Sequence, residues 1–117
     1  MMLLAHVGDS TMVLGRRLKA HASTGVSTLK AHVLPNDHKP EDLTERNRIE
    51  SIGGQVIVSA KGKGRVAWEQ EGGALHPCVN VVRSLGDLWS YKEKHTNYMV
   101  SPVPDVQEYK INPTEGF

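Results

Sequence analysis

Cys78 is the single cysteine of the chain, so no internal disulfide can form, and the expectation is a reducing, intracellular compartment, cytoplasmic or nuclear. Aromatic residues are also scarce, at 5% with one phenylalanine, and apolar residues make up only 38% of the 117 positions. With a mean hydropathy of −0.39, the chain is lean in the material from which an isolated sandwich core is built. Long hydrophobic runs are missing as well. No stretch approaches the ~20 apolar residues that cross a bilayer, and Met1-Met2-Leu3-Leu4 lacks the length and the basic leader of a signal peptide. Neither sign of charge prevails. Fourteen Lys and Arg against thirteen Asp and Glu, mixed along the chain, leave no basic field for nucleic acid or a membrane surface, and neither is expected as a partner.

What is present reads as short strands around one helix. Apolar residues 3–7 and 12–14 flank Gly8-Asp9-Ser10, which predicts a β-hairpin with Asp9 at a strand end. Residues 15–27 read as a surface excursion. Leu29, Ala31 and Val33 alternate with Lys30 and His32, the period of a half-buried strand, and residues 35–40 read as a turn. Asp42 and Glu45 make a capping-box pattern, in which Asp42 accepts the Glu45 N–H while the Glu45 carboxylate reaches back. Leu43, Ile49 and Ile52 can share one face, and Gly53-Gly54 can take the left-handed stop, so a helix is predicted over 42–52. Residues 55–59 and 65–68 read as paired strands across the cationic turn Lys61-Gly62-Lys63-Gly64. Residues 69–77 read as a loop, 79–82 as a short strand and 103–109 as the last one. No βαβ alternation appears, so the fold class expected is α+β with antiparallel pairing.

Four ordered blocks carry a resemblance: Gly8-Asp9-Ser10, then Asp37-His38-Lys39-Pro40 with Glu45, Arg48 and Gly53-Gly54 behind it, then Arg83-Ser84-Leu85-Gly86-Asp87, then Ser101-Pro102-Val103-Pro104-Asp105. In this order they resemble the middle of the PPM (type 2C) metal-dependent protein phosphatases. The run Gly86-Asp87-Leu88-Trp89-Ser90-Tyr91 looks closest to the delta-type branch. The resemblance implies that residues 1–117 are a partial phosphatase domain, part of an αββα sandwich of two antiparallel sheets flanked by helices, with a flap region at about 39–65. Its implied activity is hydrolysis of phosphoserine and phosphothreonine in phosphorylated protein substrates. Two magnesium or manganese ions of the complete domain would activate the attacking water. The family's Asp-Gly-His-Gly-Gly block, its phosphate-binding Arg and its later Asp-Gly and Asp-Asn ligands have no counterpart in the sequence. By the resemblance, Phe117 precedes the strand that would carry the next Asp-Gly. The isolated segment is therefore expected to be inactive, and the alternative is a non-catalytic, phosphatase-like module that binds a protein partner.

By motif position Asp9 matches a ligand of a weak third metal site, where hard oxygen suits magnesium or manganese. Asp is equally at home accepting turn N–H groups. Lys39 and Arg65 match cationic residues of the family's flap and would contact a phosphorylated substrate through charge-assisted hydrogen bonds. Both also suit a solvated surface. No catalytic residue is assigned. Arg83 and Asp87 suggest a structural ion pair. Thr11 replaces the usual Arg after Gly-Asp-Ser, and the short segment 69–78 departs from the delta-type pattern. Rival signals are weaker. A Gly-Asp-Ser esterase needs a late Asp-x-x-His, but Asp105 is followed at that spacing by Glu108. One cysteine cannot build a clustered structural zinc site with His76. Gly62-Lys63-Gly64 lacks the rest of a phosphate loop.

Overall fold

A computed structural model of the chain describes residues 1–18, 23–25, 27–34, 36–93 and 96–111, with the backbone alone at 76–78. Parts of the expected excursion over 15–27, Pro35 of the expected turn, and Phe117 lie outside the described residues. The helix α1 (Leu43–Ser51) forms where the local signals concentrate. Asp42 is its N-cap and accepts the Glu45 N–H at 3.0 Å. The reciprocal half of the capping box does not form. The Asp42 N–H goes instead to the Lys39 carbonyl, and the Glu45 carboxylate turns inward. At the other end Gly53, at φ 79°, donates to Glu50 O, and Gly54 donates to Ile49 O, the paired bonds of a Schellman stop. Ile49 and Ile52 are buried on the inner face, whereas Leu43 is exposed.

Strands β4 (Gln55–Val58) and β5 (Gly64–Glu69) pair antiparallel, with Val56 opposite Val66, across the expected Lys-Gly-Lys-Gly turn. Strand β6 (Leu75–Val79) completes a sheet of order β4-β5-β6. Residues 75–77 of it fall in the segment read as a loop, while of the strand expected over 79–82 only Val79 is in a strand. Pro77 lacks an N–H, but β6 is an edge strand of its sheet, and its register with β5 shifts between Val66 and Trp68, an irregularity that tolerates such a residue. The core lies between this sheet, α1 and the segments near 82 and 99: Ile49, Ile52, Val66, Trp68, Val82, Met99 and Val100, with Val56 and Val79 against it.

The start of the chain pairs differently from expectation. Strand β1 (Met2–His6) joins β9 (Asp105–Tyr109), with His6 opposite Asp105, while β2 (Met12–Arg17) joins β3 (Leu29–Leu34), with Val13 opposite Val33. The Gly8-Asp9-Ser10 turn thus connects two separate pairs and is not the tip of a hairpin. Arg16 and Arg17, expected in the excursion, lie in β2. The alternation in β3 is real, but its apolar face is outward: Leu29 and Val33 are about two-thirds exposed, at 69% and 68%, while His32 and Leu34 are half-buried. Beyond Ser84, a 3-10 turn (Leu88–Ser90) leads into β7 (Tyr91–Lys92), which pairs with β8 (Asn97–Tyr98). Strands in antiparallel pairs around one α-helix, among the described residues, make the class α+β, as expected. The radius of gyration is 19.5 Å, well above the about 13 Å of a compact domain of this length.

Gly54 is the tightest point of the helix exit. A Cβ there would lie 2.6 Å from Ile49 Cγ2 and 3.1 Å from both Ile49 O and Met99 Sδ. Gly54→Ala is expected to lower the urea midpoint by the equivalent of about 1–3 kcal/mol through overpacking. An unchanged midpoint would show that the Gly54 backbone is not pinned between helix and core.

Candidate functional site

The site is built outward from a carboxylate. Glu45 sits on the inner face of α1, 4% exposed. Its Oε2 accepts from Arg48 Nε at 3.0 Å and from an Arg48 terminal nitrogen at 2.8 Å. Its Oε1 accepts from Arg83, through Nε at 2.8 Å and through a second nitrogen of the same guanidinium. Arg48 also donates to the carbonyls of Tyr98, Val82 and Met99 at 3.0–3.1 Å, so one side chain joins α1 to two segments distant in sequence. Those segments touch directly as well, since Ser101 N–H donates to Val82 O and Ser84 N–H to Ser101 O. Arg83 reaches on to Asp105 Oδ1 at 2.8 Å and to the Val103 carbonyl. Two carboxylates and two guanidinium groups thus balance within one cluster. The expected Arg83–Asp87 pair does not form: Asp87 Oδ1 accepts from Trp89 Nε1 at 2.7 Å, and Arg83 is structural through Glu45 and Asp105.

Asp105 carries the cluster to the turn at Gly8. Its Oδ2 lies 3.1 Å from Nε2 of the buried His38. Gly8 N–H donates to His38 Nδ1 at 3.0 Å, and His38 N–H donates back to Gly8 O at 3.0 Å. Because Nδ1 accepts, the ring proton is on Nε2 and donates to Asp105. The His6 ring stacks on His38 with centroids 4.2 Å apart and planes 12° from parallel. His6 Nε2 meets the Asn36 carbonyl at 3.1 Å, and its buried Nδ1 has no partner.

Asp9, immediately after this fixed peptide, is exposed, and its carboxylate accepts from the Lys39 ammonium. Two of the three candidate residues are thereby brought together. Arg65 is exposed on β5 opposite Ile57. Its neighbour Gly64 is fastened to the turn after Lys39: the Gly64 N–H donates to Glu41, and a Cβ at Gly64 would lie 2.7 Å from Pro40 Cβ. The residues that sequence reasoning missed are His38, Glu45 and Asp105. His38 lies in a motif block that gives it no role, and the spacing of Glu45 from Asp42 points only to the cap.

Three carboxyls here are held below the usual carboxylate range. Asp105 is lowered first by the hydrogen bond from His38 and then, against some desolvation, by the charge of Arg83. Asp9 is lowered by the Lys39 hydrogen bond and charge, and Glu41 by the Gly64 N–H. Burial pulls the Arg83 guanidinium down, but Glu45 and then Asp105 outweigh it and raise the group.

No group of three or more His, Cys, Asp or Glu able to hold a metal ion occurs among the described residues. Asp9 offers one hard oxygen donor and is already paired with an ammonium, so these residues do not make a metal site by themselves. No helix of the described residues is long and apolar enough to cross a membrane.

The model of the protein phosphatase 2C family matches residues 1–117. Similar proteins include protein phosphatase ppm-1.G of Caenorhabditis elegans, 31% identical with 98% of this chain and 19% of that protein covered. Probable protein phosphatase 2C 27 of Arabidopsis thaliana is 29% identical, with 99% and 24% covered. Probable protein phosphatase 2C 69 of the same plant is 35% identical, with 99% and 25% covered. The chain belongs to the protein phosphatase 2C family and spans about a fifth to a quarter of the length of these relatives.

Two outcomes follow from the charge cluster. Glu45→Gln leaves Arg48 and Arg83 facing a neutral amide in a buried position and is expected to cost about 3 kcal/mol or more in urea unfolding. Acid acts through Asp105. Its folded-state pKa is depressed, so its contribution is fully present above the ordinary carboxylate value and is lost as pH falls through the lower folded value. Stability should therefore hold from neutral pH down to about 5 and fall below about 4. Asp105→Asn should lower the neutral-pH midpoint by about 1 kcal/mol, discounted for the exposure of Asp105, and flatten the acid slope. Parallel pH profiles for the two proteins would rule out this linkage.

Proposed function

We propose that residues 1–117 are the central segment of a metal-dependent protein phosphatase domain that hydrolyses phosphoserine and phosphothreonine in proteins, and that the segment alone is inactive. The observation that carries this reading is the family match along the entire chain, joined to the small share of each relative that the chain covers. In this reading the helix and the antiparallel pairs are part of an αββα sandwich, and residues at about 39–65 form the flap. The protein works inside the cell.

Asp9 supplies one oxygen to a magnesium or manganese ion whose other ligands come from outside the chain, consistent with the preference of those ions for carboxylate and water. Lys39 and Arg65 serve the phosphorylated substrate as cations at the rim. What supports these roles is position and accessibility. Asp9 and Lys39 meet at the exposed end of a turn whose backbone is fixed from within, and Arg65 follows the glycine fastened to that turn.

In the full-length protein, Asp9→Asn should reduce phosphatase activity on a phosphothreonine peptide and raise the manganese concentration for half-maximal activity by about tenfold or more. Superimposable titration curves with equal turnover at saturation would remove the metal role of Asp9. The 117-residue chain alone should show no manganese-dependent hydrolysis above a blank. Turnover by this chain that chelation abolishes would overturn the segment reading.

A further inference from the structure

The Gly8–Asp9 turn is held by its backbone, and the residue that holds it is thirty positions away. Gly8 is buried with φ 96°, a conformation that side chains other than glycine rarely adopt, and a Cβ there would also lie 3.4 Å from the Arg83 carbonyl. Both polar groups of Gly8 are engaged by one residue: its N–H by His38 Nδ1 and its C=O by the His38 N–H, each at 3.0 Å. His38 cannot drift, because its carbonyl accepts from Val82 N–H at 3.1 Å and its Nε2 is fixed by Asp105, itself bound to Arg83. The His6 ring lies flat against the remaining side. The next residue, Lys39, delivers the ammonium that meets the Asp9 carboxylate. One dipeptide, His38-Lys39, therefore grips the backbone before Asp9 and the side chain of Asp9 itself.

We propose that His38 is a positioning residue that sets the direction of the Asp9 carboxylate by clamping the Gly8 peptide, with Asp105 holding the imidazole in the tautomer the clamp requires. This inference rests on Asp9 being a metal ligand for its consequence, but not for the clamp. The physical requirement is specific. Nδ1 must be free of a proton to accept from Gly8, so the proton must sit on Nε2, and a carboxylate there stabilises that form. Ring nitrogens thus have separate duties: one sets the turn and the other is set by the core.

The two duties can be separated by substitution. Asparagine places an amide oxygen where Nδ1 stands and keeps an acceptor for Gly8. Glutamine reaches the position of Nε2 and keeps a donor for Asp105, but presents nothing to Gly8. In the full-length protein, Gly8 amide hydrogen exchange and direct binding of Mn2+, followed by the resonance of the free ion, would be measured for wild type, His38→Asn, His38→Gln and Asp9→Asn. Gly8 exchange should accelerate about tenfold or more in His38→Gln, the consequence of a buried donor losing its acceptor, and remain close to wild type in His38→Asn. Mn2+ affinity should fall in His38→Gln as it does in Asp9→Asn, and be retained in His38→Asn. Equal Gly8 exchange in the two His38 variants would overturn the clamp. A His38→Gln protein with a freely exchanging Gly8 amide and unaltered Mn2+ affinity would overturn its role in aiming Asp9. Should Asp9→Asn bind Mn2+ like wild type, the metal reading of Asp9 fails, and Gly8 exchange still decides the clamp. If His38→Gln does not fold, the wild type decides: a scalar coupling between the Gly8 amide and His38 Nδ1 is required, and its absence refutes the proposal.

Discussion

A carboxylate removed from water must be neutralised where it stands, and Glu45 is the group on which that requirement falls. Its two oxygens are filled by two guanidinium groups, one from its own helix and one from the segment before the 3-10 turn. Each arginine then spends its remaining donors on backbone carbonyls at Tyr98, Met99, Val82 and Val103, or on Asp105. Of these carbonyls only Tyr98 lies in a paired strand, at the end of the two-residue β8, so at Met99, Val82 and Val103 the arginines supply hydrogen bonds outside any strand ladder. Burying such a cluster contributes little net stability compared with a well-packed apolar core, while removing one member leaves an uncompensated charge. What the cluster does in the structure is tie α1 to residues 82–84 and residues 98–105 through named donors and acceptors.

The elements legible in the sequence were those whose causes are local. The helix 43–51 followed from the Asp42 cap and the Gly53-Gly54 stop, and β4 with β5 followed from alternation around Lys61-Gly62-Lys63-Gly64. Where the cause is distant, the local sequence is silent. Nothing near Met2 announces a partner at Tyr109, so the apolar run beginning the chain was joined to its nearest neighbour. Pro77 argued for a loop, and an edge strand with a register shift absorbed it. Glu45 illustrates the same conflict within one residue. Its spacing from Asp42 suits a capping box, but the guanidinium groups of two partly buried arginines take its carboxylate instead of the Asp42 amide.

The site was legible in part for the same reason. Asp9, Lys39 and Arg65 each stand out singly in their motifs, but the contact of Asp9 with Lys39 and the fastening of Gly64 to Glu41 are products of the fold. His38 stands in one of the motif blocks, but nothing in the sequence signals its role. A lone histidine beside a lysine and a proline gives no sign that it will be buried, still less which ring nitrogen will accept.

Energetics separate the frame from its tip. The Glu45–Arg83 pair is shielded, so neither member can change partners without leaving a charge unmet, while Asp105 joins it from a half-exposed position. The Asp9–Lys39 pair stands at the surface, with side chains 48% and 29% exposed, where ion pairs contribute only about 0–1 kcal/mol. A small energy is an advantage at that position. A carboxylate locked into a deep pair could not be offered to anything else, whereas one that is itself half-exposed and held by a single half-buried ammonium can be reassigned at little cost, provided the backbone beneath it stays still. Gly8 meets that condition: it is buried, left-handed and bonded at both polar groups. Rigidity in the peptide and softness in the side-chain pair are therefore complementary, and the apolar faces left outward on β2 and β3 do not disturb this division, because the turn is anchored through His38 rather than through those strands.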